Sequence, residues 1–480
     1  MSNIRPLYLN GEFVTPTDTP PIKVTNPATG GTIGQVATVD REGVRSAIAR
    51  AWQAFAGWRT ISARERGEFL HQIADRLTAR TDELARTITL ENGKPLAQSR
   101  AEIAISSDHL HWFAEESRRA YGRIVPPQLP GKRHLVMRSP VGPVGAIAPW
   151  NFPLMLALRK IAPALAAGCP VILKPASATP LSAVRFAEIV DEVGLPAGVF
   201  QLVAGNAREI AAEMIENPAC RKITFTGSTA VGRELLRAGA PVIKKLSLEL
   251  GGHAAVLVFA DADLDIAVRE SITAKFRNTG QSCIAANRIY VQHAVYEEFL
   301  DKFTTATRAL KLGDGLTDGV EIGPLIDEAG LRLALEHIEE AVAGGARVRC
   351  GGRRRPGSPG CFLEPTVLTD VAADARCLQE ETFAPVAPVL RFADEAEAIR
   401  LANDTEYGLA AYAFTRDNAR CWRLAEQLEA GSIGINDGVL STSNCPFGGL
   451  KQSGLGRELG SEGLDAFLET KHVSFAHVDS

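Results

Sequence analysis

The segment GQSCIAANR, residues 280–288, sets a cysteine among glycine, serine and small apolar side chains. As a thiolate Cys283 would be a nucleophile, yet an unpaired cysteine also serves as a small buried hydrophobe, and residue type alone leaves both readings open. Glu249 in SLELGGH offers complementary chemistry. A carboxylate at the end of an apolar strand is expensive to bury unless it is hydrogen-bonded or raised in pKa. Both conditions suit a general base, and a salt-bridged carboxylate is the plain alternative. Asn151, which follows Pro149 and Trp150, could turn its amide into a cleft or simply stabilise a turn.

Two further stretches could meet phosphate. In FTGSTAVG, residues 225–232, a strand runs into Gly227 and a helix opens toward Gly232. The free N–H groups of Gly227, Ser228 and the helix start would suit a pyrophosphate, although the spacing is GxxxxG and a purely structural turn fits it too. Lys174 and Ser177 in LKPASATP follow another strand, where ligands of doubly wound sheets gather. An acidic residue there would bind a ribose 2'-hydroxyl and repel a 2'-phosphate, which Ser177 does not; a solvated Lys beside a turn Ser is the alternative.

Such side chains need a scaffold that gathers strand ends. VGAIAPW in the 141–150 region, CPVILKP (169–175), VFQLVAG (199–205) and KITFTG (222–227) are short apolar runs ending at Gly or Pro and spaced by helical segments. That pattern predicts a parallel α/β sheet. Thr179 as N-cap, Pro180 at the first position and Gly194 past the end mark the helix after the second run. Val44 to Leu110 reads mostly as amphipathic helix. A second alternation, from HAAVLVF (253–259) through RIYVQ (288–292), predicts a second α/β domain, with GGRRRPGSPG (351–360) as a hairpin or loop. RIVPPQLPGKRHLVMRSPVG (123–142) and KHVSFAHV (471–478) read as extended segments without obvious partners in one chain.

At 480 residues the chain exceeds one compact core and should divide into two or three domains. A formal net charge of -4 leaves no basic excess for phosphate backbones, which argues against nucleic acid as a partner. The longest apolar run, Ile161 to Leu173, is broken by Pro163, Gly168 and Pro170 and is too short for a bilayer; the start, MSNIRPLYLNGEF, lacks a signal-peptide core. Eight cysteines without CxxC or a Cys/His cluster suggest neither a disulfide framework nor a metal site, so a cytoplasmic location is expected.

Seven motifs in order, PWNFP (149–153), LKPAS (173–177), FTGSTAVG (225–232), LELGG (248–252), GQSC (280–283), EETFAP (380–385) and PFGGLKQSGLGRE (446–458), resemble the aldehyde dehydrogenase family. The resemblance covers essentially the whole chain. It implies an α/β fold of two parallel-sheet domains, a Rossmann-type cofactor domain (1–120 and 140–250) and a catalytic domain (251–450). A small β arm for oligomerisation (121–139 and 468–480) completes it. It also implies that Cys283 attacks an aldehyde while Asn151 and the Cys283 N–H hold the oxyanion. Glu249 then activates water on the resulting thioester, with Lys160 and Glu458 assisting its proton traffic. Glu381 is expected on the nicotinamide ribose, Phe383 beside the ring, and Trp150, Lys174, Ser177, Gly227 and Ser228 elsewhere along NADP, the expected cofactor, or NAD.

Longer stretches, including KKLSLELGGHAAVLVFADADLDIAV and AKFRNTGQSCIAANRIYVQ, look like succinate-semialdehyde dehydrogenases within that family. The resemblance makes Arg159, Arg277 and Ser441 the contacts of a substrate carboxylate, and a homodimer or homotetramer the expected assembly. Glutarate semialdehyde, another aldehyde, or a non-catalytic relative are the alternatives. Where some relatives carry a second cysteine two residues after the nucleophile, Ala285 stands here, so an inhibitory disulfide by that route is excluded.

Overall fold

The structure, a computed structural model, describes residues 4–476. Residues 1–3 and 477–480, the outer ends of the expected first domain and arm, lie outside the described residues. Helices begin where the sequence supplies an oxygen for free N–H groups. Asp40 accepts from the Gly43 N–H to open Arg41–Trp58, and Ser62 and Glu65 cap Ala63–Ala79 reciprocally. Thr81–Asn92 stops at Gly93, which takes the left-handed φ of 92°. Leu96–Glu116 follows. Their apolar stripes, Val44, Ile48 and Ala51 among them, pack with the first sheet into one core.

That sheet has eight strands, in the spatial order Gly454–Leu455, Lys245–Glu249, Lys222–Thr226, Val144–Ile147, Val171–Lys174, Phe200–Leu202, Leu7–Leu9, Glu12–Val14. The five from Lys245–Glu249 to Phe200–Leu202 are parallel, and the flanking strands are antiparallel. Helices Leu181–Val193, Ala207–Glu216 and Thr229–Gly239 lie between successive strands. Chain order runs outward from Val144–Ile147 to Phe200–Leu202, then jumps back to Lys222–Thr226 on the other side. The carboxyl ends of Val144–Ile147 and Lys222–Thr226 therefore border the switch point where such sheets bind ligands.

The second sheet runs Arg347–Cys350, Thr366–Thr369, Val386–Phe392, Ala286–Gln292, Ala254–Val258, Ala410–Phe414, Ser432–Ile435, parallel except for its first strand. Glu249–Gly252 joins the carboxyl end of one sheet to the amino end of the other. Cys283 also precedes an amino end, that of Ala286–Gln292. The two-sheet α/β architecture is the expected one. A smaller sheet of Ile4–Arg5, Thr32–Val36 and Ile22–Thr25 was not foreseen.

Two expectations need correction. The helix after Lys174 opens at Pro180 and spans Leu181–Val193 without a side-chain N-cap from Thr179. Thr179 turns its hydroxyl to the Trp150 carbonyl, and the buried Glu91 carboxylate instead accepts from the Leu181 and Ser182 N–H groups at 2.6 and 3.0 Å. The extended segments also have partners within the chain: Leu468–Ala476 pairs along its whole length with Lys132–Pro140, which pairs in turn with Arg123–Val125. Complementary strands more than 300 residues apart are invisible to local pattern. Among the described residues no helix is long and apolar enough to cross a membrane.

Candidate active site

A cavity of about 200 Å³ opens at the switch point. Trp150 and Asn151 enter it from the end of one parallel strand, Gly227 and Ser228 from the next, and Cys283, Glu381 and Phe383 from the amino ends of the second sheet. The structure thus gathers seven of the sequence-selected residues around one cavity. Lys174 and Ser177 lie outside its lining, after a neighbouring strand.

The loop before Cys283 is held in an uncommon backbone. Asn278, Thr279 and Gly280 have φ values of 51°, 60° and 75°, a run that costs conformational energy at its two non-glycine positions and persists only if the surroundings enforce it. They do so through hydrogen bonds. Gln281 donates to the Asn278 and Pro324 carbonyls and accepts from the Ile326 N–H at 2.9 Å. Asn278 Nδ2 donates to the Asn151 carbonyl at 2.8 Å. Asn151 Nδ2 in turn donates to the Gln281 carbonyl at 3.1 Å, which uses one amide hydrogen and leaves the second for the cavity.

Burial, reinforced by the charges of Glu381 and Glu249 and opposed by Arg159, pushes the Cys283 thiol up to about 12. Its resting form is therefore the thiol, and nucleophilic attack requires a base. Glu249, whose carboxylate charge acts on Cys283, has the chemistry to accept the thiol proton. It ends its strand 4 % exposed, and its Oε2 has no hydrogen-bond partner. Burial and the Glu458 carboxylate hold its pKa well above the ordinary carboxylate range, against the pull of Lys160 and Arg159. Lys160 Nζ, fully buried, donates to Thr226 Oγ1 at 2.6 Å and Glu458 Oε1 at 2.5 Å. Glu458 Oε2 is likewise unpartnered.

The same cavity carries groups with the chemistry to meet a phosphate and a ribose. Ser228 caps Thr229–Gly239, presenting the N-terminus of an 11-residue helix to the cavity. Glu381 Oε1 accepts from the Gly252 N–H at 3.1 Å, and burial raises its pKa to about 7. The carboxylate comes so close to Gly251 that a Cβ there would stand 2.8 Å from Oε2. Phe383, itself at a left-handed φ of 51°, meets Trp150 edge-on with ring centroids 5.4 Å apart. Lys174 is buried, and burial alone lowers its pKa to about 8; Ser177 is exposed in the following turn.

Arg159 and Lys160 are adjacent in the buried helix Met155–Ala167, so their side chains leave it about 100° apart. Lys160 reaches Glu458, whereas Arg159 donates to Ser441 Oγ and lies 4.6 Å from the Phe447 ring centre. Arg277 stands 5.1 Å from the Phe152 ring centre. Burial lowers the pKa of both guanidinium groups, opposed at Arg159 by the Glu458 and Glu249 carboxylates and at Arg277 by Tyr412 and Glu102. Neither forms an ion pair among the described residues.

Lys94 and Glu102 join the site without any local sequence signal. Lys94 Nζ, wholly buried, donates to Glu102 Oε2 and to the Asn151 carbonyl, each at 2.6 Å, while Glu102 Oε1 accepts from the Leu154 and Met155 N–H groups. This pair fixes the turn carrying Asn151 and the start of the helix carrying Arg159. A lone Lys in ENGKP reads as solvated, and no local spacing reveals a partner eight residues on.

The sequence matches the aldehyde dehydrogenase family over residues 13–473. It is 48% identical to the glutarate-semialdehyde dehydrogenase of Pseudomonas aeruginosa, over 97% of this chain and 96% of that protein. It is also 48% identical to the NADP(+) succinate-semialdehyde dehydrogenase GabD of Escherichia coli, with the same two coverages. The crystal structure of succinate-semialdehyde dehydrogenase from Burkholderia pseudomallei superposes with a TM-score of 0.97 at 46% identity, covering 99% of this chain and 98% of that one. With a cysteine, a carboxylate and a helix N-terminus around one cavity, the chain belongs to the aldehyde dehydrogenase family, oxidoreductases that oxidise aldehydes with a nicotinamide cofactor.

Proposed function

We propose that this aldehyde dehydrogenase acts on a short aldehyde bearing a distal carboxylate, converting succinate semialdehyde to succinate, with glutarate semialdehyde as the alternative. The observation that carries the reading is the pair Arg159, which is buried, and Arg277, which is partly buried: neither guanidinium forms an ion pair among the described residues. Burying a cation that no carboxylate contacts is costly, and a substrate carboxylate supplies the charge-assisted partner. The names of the relatives point the same way.

In this reading Glu249 takes the thiol proton and Cys283 Sγ adds to the aldehyde carbon. Asn151 Nδ2 and the Cys283 N–H donate to the oxygen as it becomes negative; losing one such donor typically costs about 2.7 to 4 kcal/mol of barrier lowering. The nicotinamide, when bound, supplies the acceptor for the hydride that leaves this carbon. What remains on Cys283 is a thioester. Lys160 and Glu458 first carry the thiol proton away from Glu249; Glu249 then draws a proton from the water that attacks the thioester and returns it to the departing Cys283 sulfur, which restores the thiol as the acid is released.

For the cofactor, Glu381 holds the nicotinamide ribose, Phe383 and Trp150 flank the ring, and Gly227 and Ser228 meet the pyrophosphate. Lys174 beside an uncharged Ser177 supports NADP over NAD. The exposed β arm supports a homodimer or homotetramer, and eight free thiols support a reducing compartment such as the cytoplasm.

Arg159→Ala and Arg277→Ala, each assayed on succinate semialdehyde and butyraldehyde, test the substrate. Each arginine should contribute about 1.5 to 3 kcal/mol, roughly 10- to 150-fold in kcat/KM, to the carboxylated aldehyde's advantage. Equal losses on the two aldehydes would remove the case for a carboxylated substrate.

A further inference from the structure

Behind Arg159 runs a hydrogen-bonded chain that the chemistry above does not use. Arg159 Nε donates to His109 Nε2 at 3.3 Å, His109 Nδ1 lies 2.7 Å from Ser443 Oγ, and Ser443 Oγ bonds Asp108 Oδ2. His109 and Ser443 are 0 % and 3 % exposed. Asp108 sits at the exposed end.

A guanidinium can only donate, so His109 Nε2 must carry the lone pair and Nδ1 the hydrogen. The Nδ1–H then donates to Ser443 Oγ, and the Ser443 hydroxyl donates to the Asp108 carboxylate. Every link has one donor and one acceptor, and the chain runs in one direction from the cation to a carboxylate at the surface. Burial and the adjacent Arg159 hold the His109 pKa well below its usual value, which keeps the ring in the neutral form this direction requires.

Arg159 is thus gripped at Nε by His109, at one terminal nitrogen by Ser441 and on its face by Phe447. Its other terminal nitrogen donates to no protein group among the described residues. A planar fork fixed at one edge presents its remaining hydrogens in a set direction, which is what recognition of a carboxylate by an arginine requires. We infer that His109, oriented by Ser443 and Asp108, is a positioning residue for carboxylate selectivity, acting on the substrate only through Arg159. The inference rests on the proposed role of Arg159.

The readout is the ratio of kcat/KM for succinate semialdehyde to that for butyraldehyde, measured in a double-mutant cycle. His109→Leu, which removes the acceptor, should lower the ratio by about tenfold, the low end for a charged hydrogen bond because the fork is loosened rather than deleted. His109→Gln, whose amide oxygen can accept from Nε, should recover most of it. In an Arg159→Ala background, His109→Leu should leave the ratio unmoved. Ser443→Ala, a smaller change, should lower the ratio in the same direction, and it decides the matter if His109→Leu does not fold. Equal losses on both aldehydes, or the same drop without Arg159, would show His109 to be merely structural. A ratio unchanged by Arg159→Ala alone would instead overturn the carboxylate reading, and this inference with it.

Discussion

Glu249 concentrates the site's electrostatics in one residue. Buried beside a second carboxylate, with Lys160 turned to Glu458, it is a stronger base than an exposed glutamate. A raised carboxylate pKa means the basic form is complete only above that value, so kcat should fall as pH is lowered through it, at a pH above the ordinary carboxylate range. Glu249→Gln should remove that limb and slow both the attack that precedes hydride loss and the hydrolysis of the thioester, so rapid mixing should show slow cofactor reduction without a burst. An unchanged steady-state rate would assign Glu249 a structural role. Gly252 is constrained differently: a Cβ there would stand 2.1 Å from the Cys283 carbonyl oxygen. Gly252→Ala must displace the nucleophile loop, and a shift near 1 Å can cost about 10²-fold. Steady-state assays should show at least that loss, with thermal unfolding reporting any accompanying loss of stability.

At the scale of elements, what was legible in the sequence was what depends on neighbours in the chain. The runs at 144–147, 171–174 and 222–226 became parallel strands because short β-branched and apolar stretches ending in Gly or Pro leave few other options. Cys283, Glu249 and Asn151 were legible as candidates through motif order, Glu249 ending a strand, Asn151 following one and Cys283 preceding one. What escaped depended on distant partners. Glu91 caps a helix 90 residues away, Lys94 holds the Asn151 carbonyl across 57, and His109 meets Ser443 across 334. The strand end at Lys174 lies between these cases, legible in type but set apart from the cavity wall. Its ammonium has a pKa near 8, so in the free enzyme its charge is lost as pH rises through that value. The preference for NADP over NAD in kcat/KM should therefore decline above about pH 8. Ser177→Glu should shift the same ratio toward NAD by roughly tenfold or more, as a buried lysine acquires a competing carboxylate that also repels phosphate. A ratio indifferent to Ser177→Glu would place the 2'-phosphate elsewhere.

The whole molecule presents a surface that one chain leaves unfinished. The arm of Arg123–Val125, Lys132–Pro140 and Leu468–Ala476 is a three-stranded sheet whose two outer edges pair with no other strand among the described residues. It also carries Tyr121, Ile124, Leu129, Met137 and Phe475 exposed, Ile124 at 80 %. A nine-residue open edge next to exposed apolar side chains is a liability unless another chain covers it, and a second copy is the economical cover. Finding that the extended segments pair with each other removes the idea that each awaits its own strand partner, but it builds the sheet to be shared and so sharpens the expectation. Light scattering at micromolar concentration should give a multiple of the single-chain mass. Ile124→Glu together with Met137→Glu should reduce that mass while leaving circular dichroism unchanged, because both side chains are exposed on the arm. A single-chain mass for the parent protein would refute assembly through the arm, and an oligomer untouched by the double substitution would move the interface to another face.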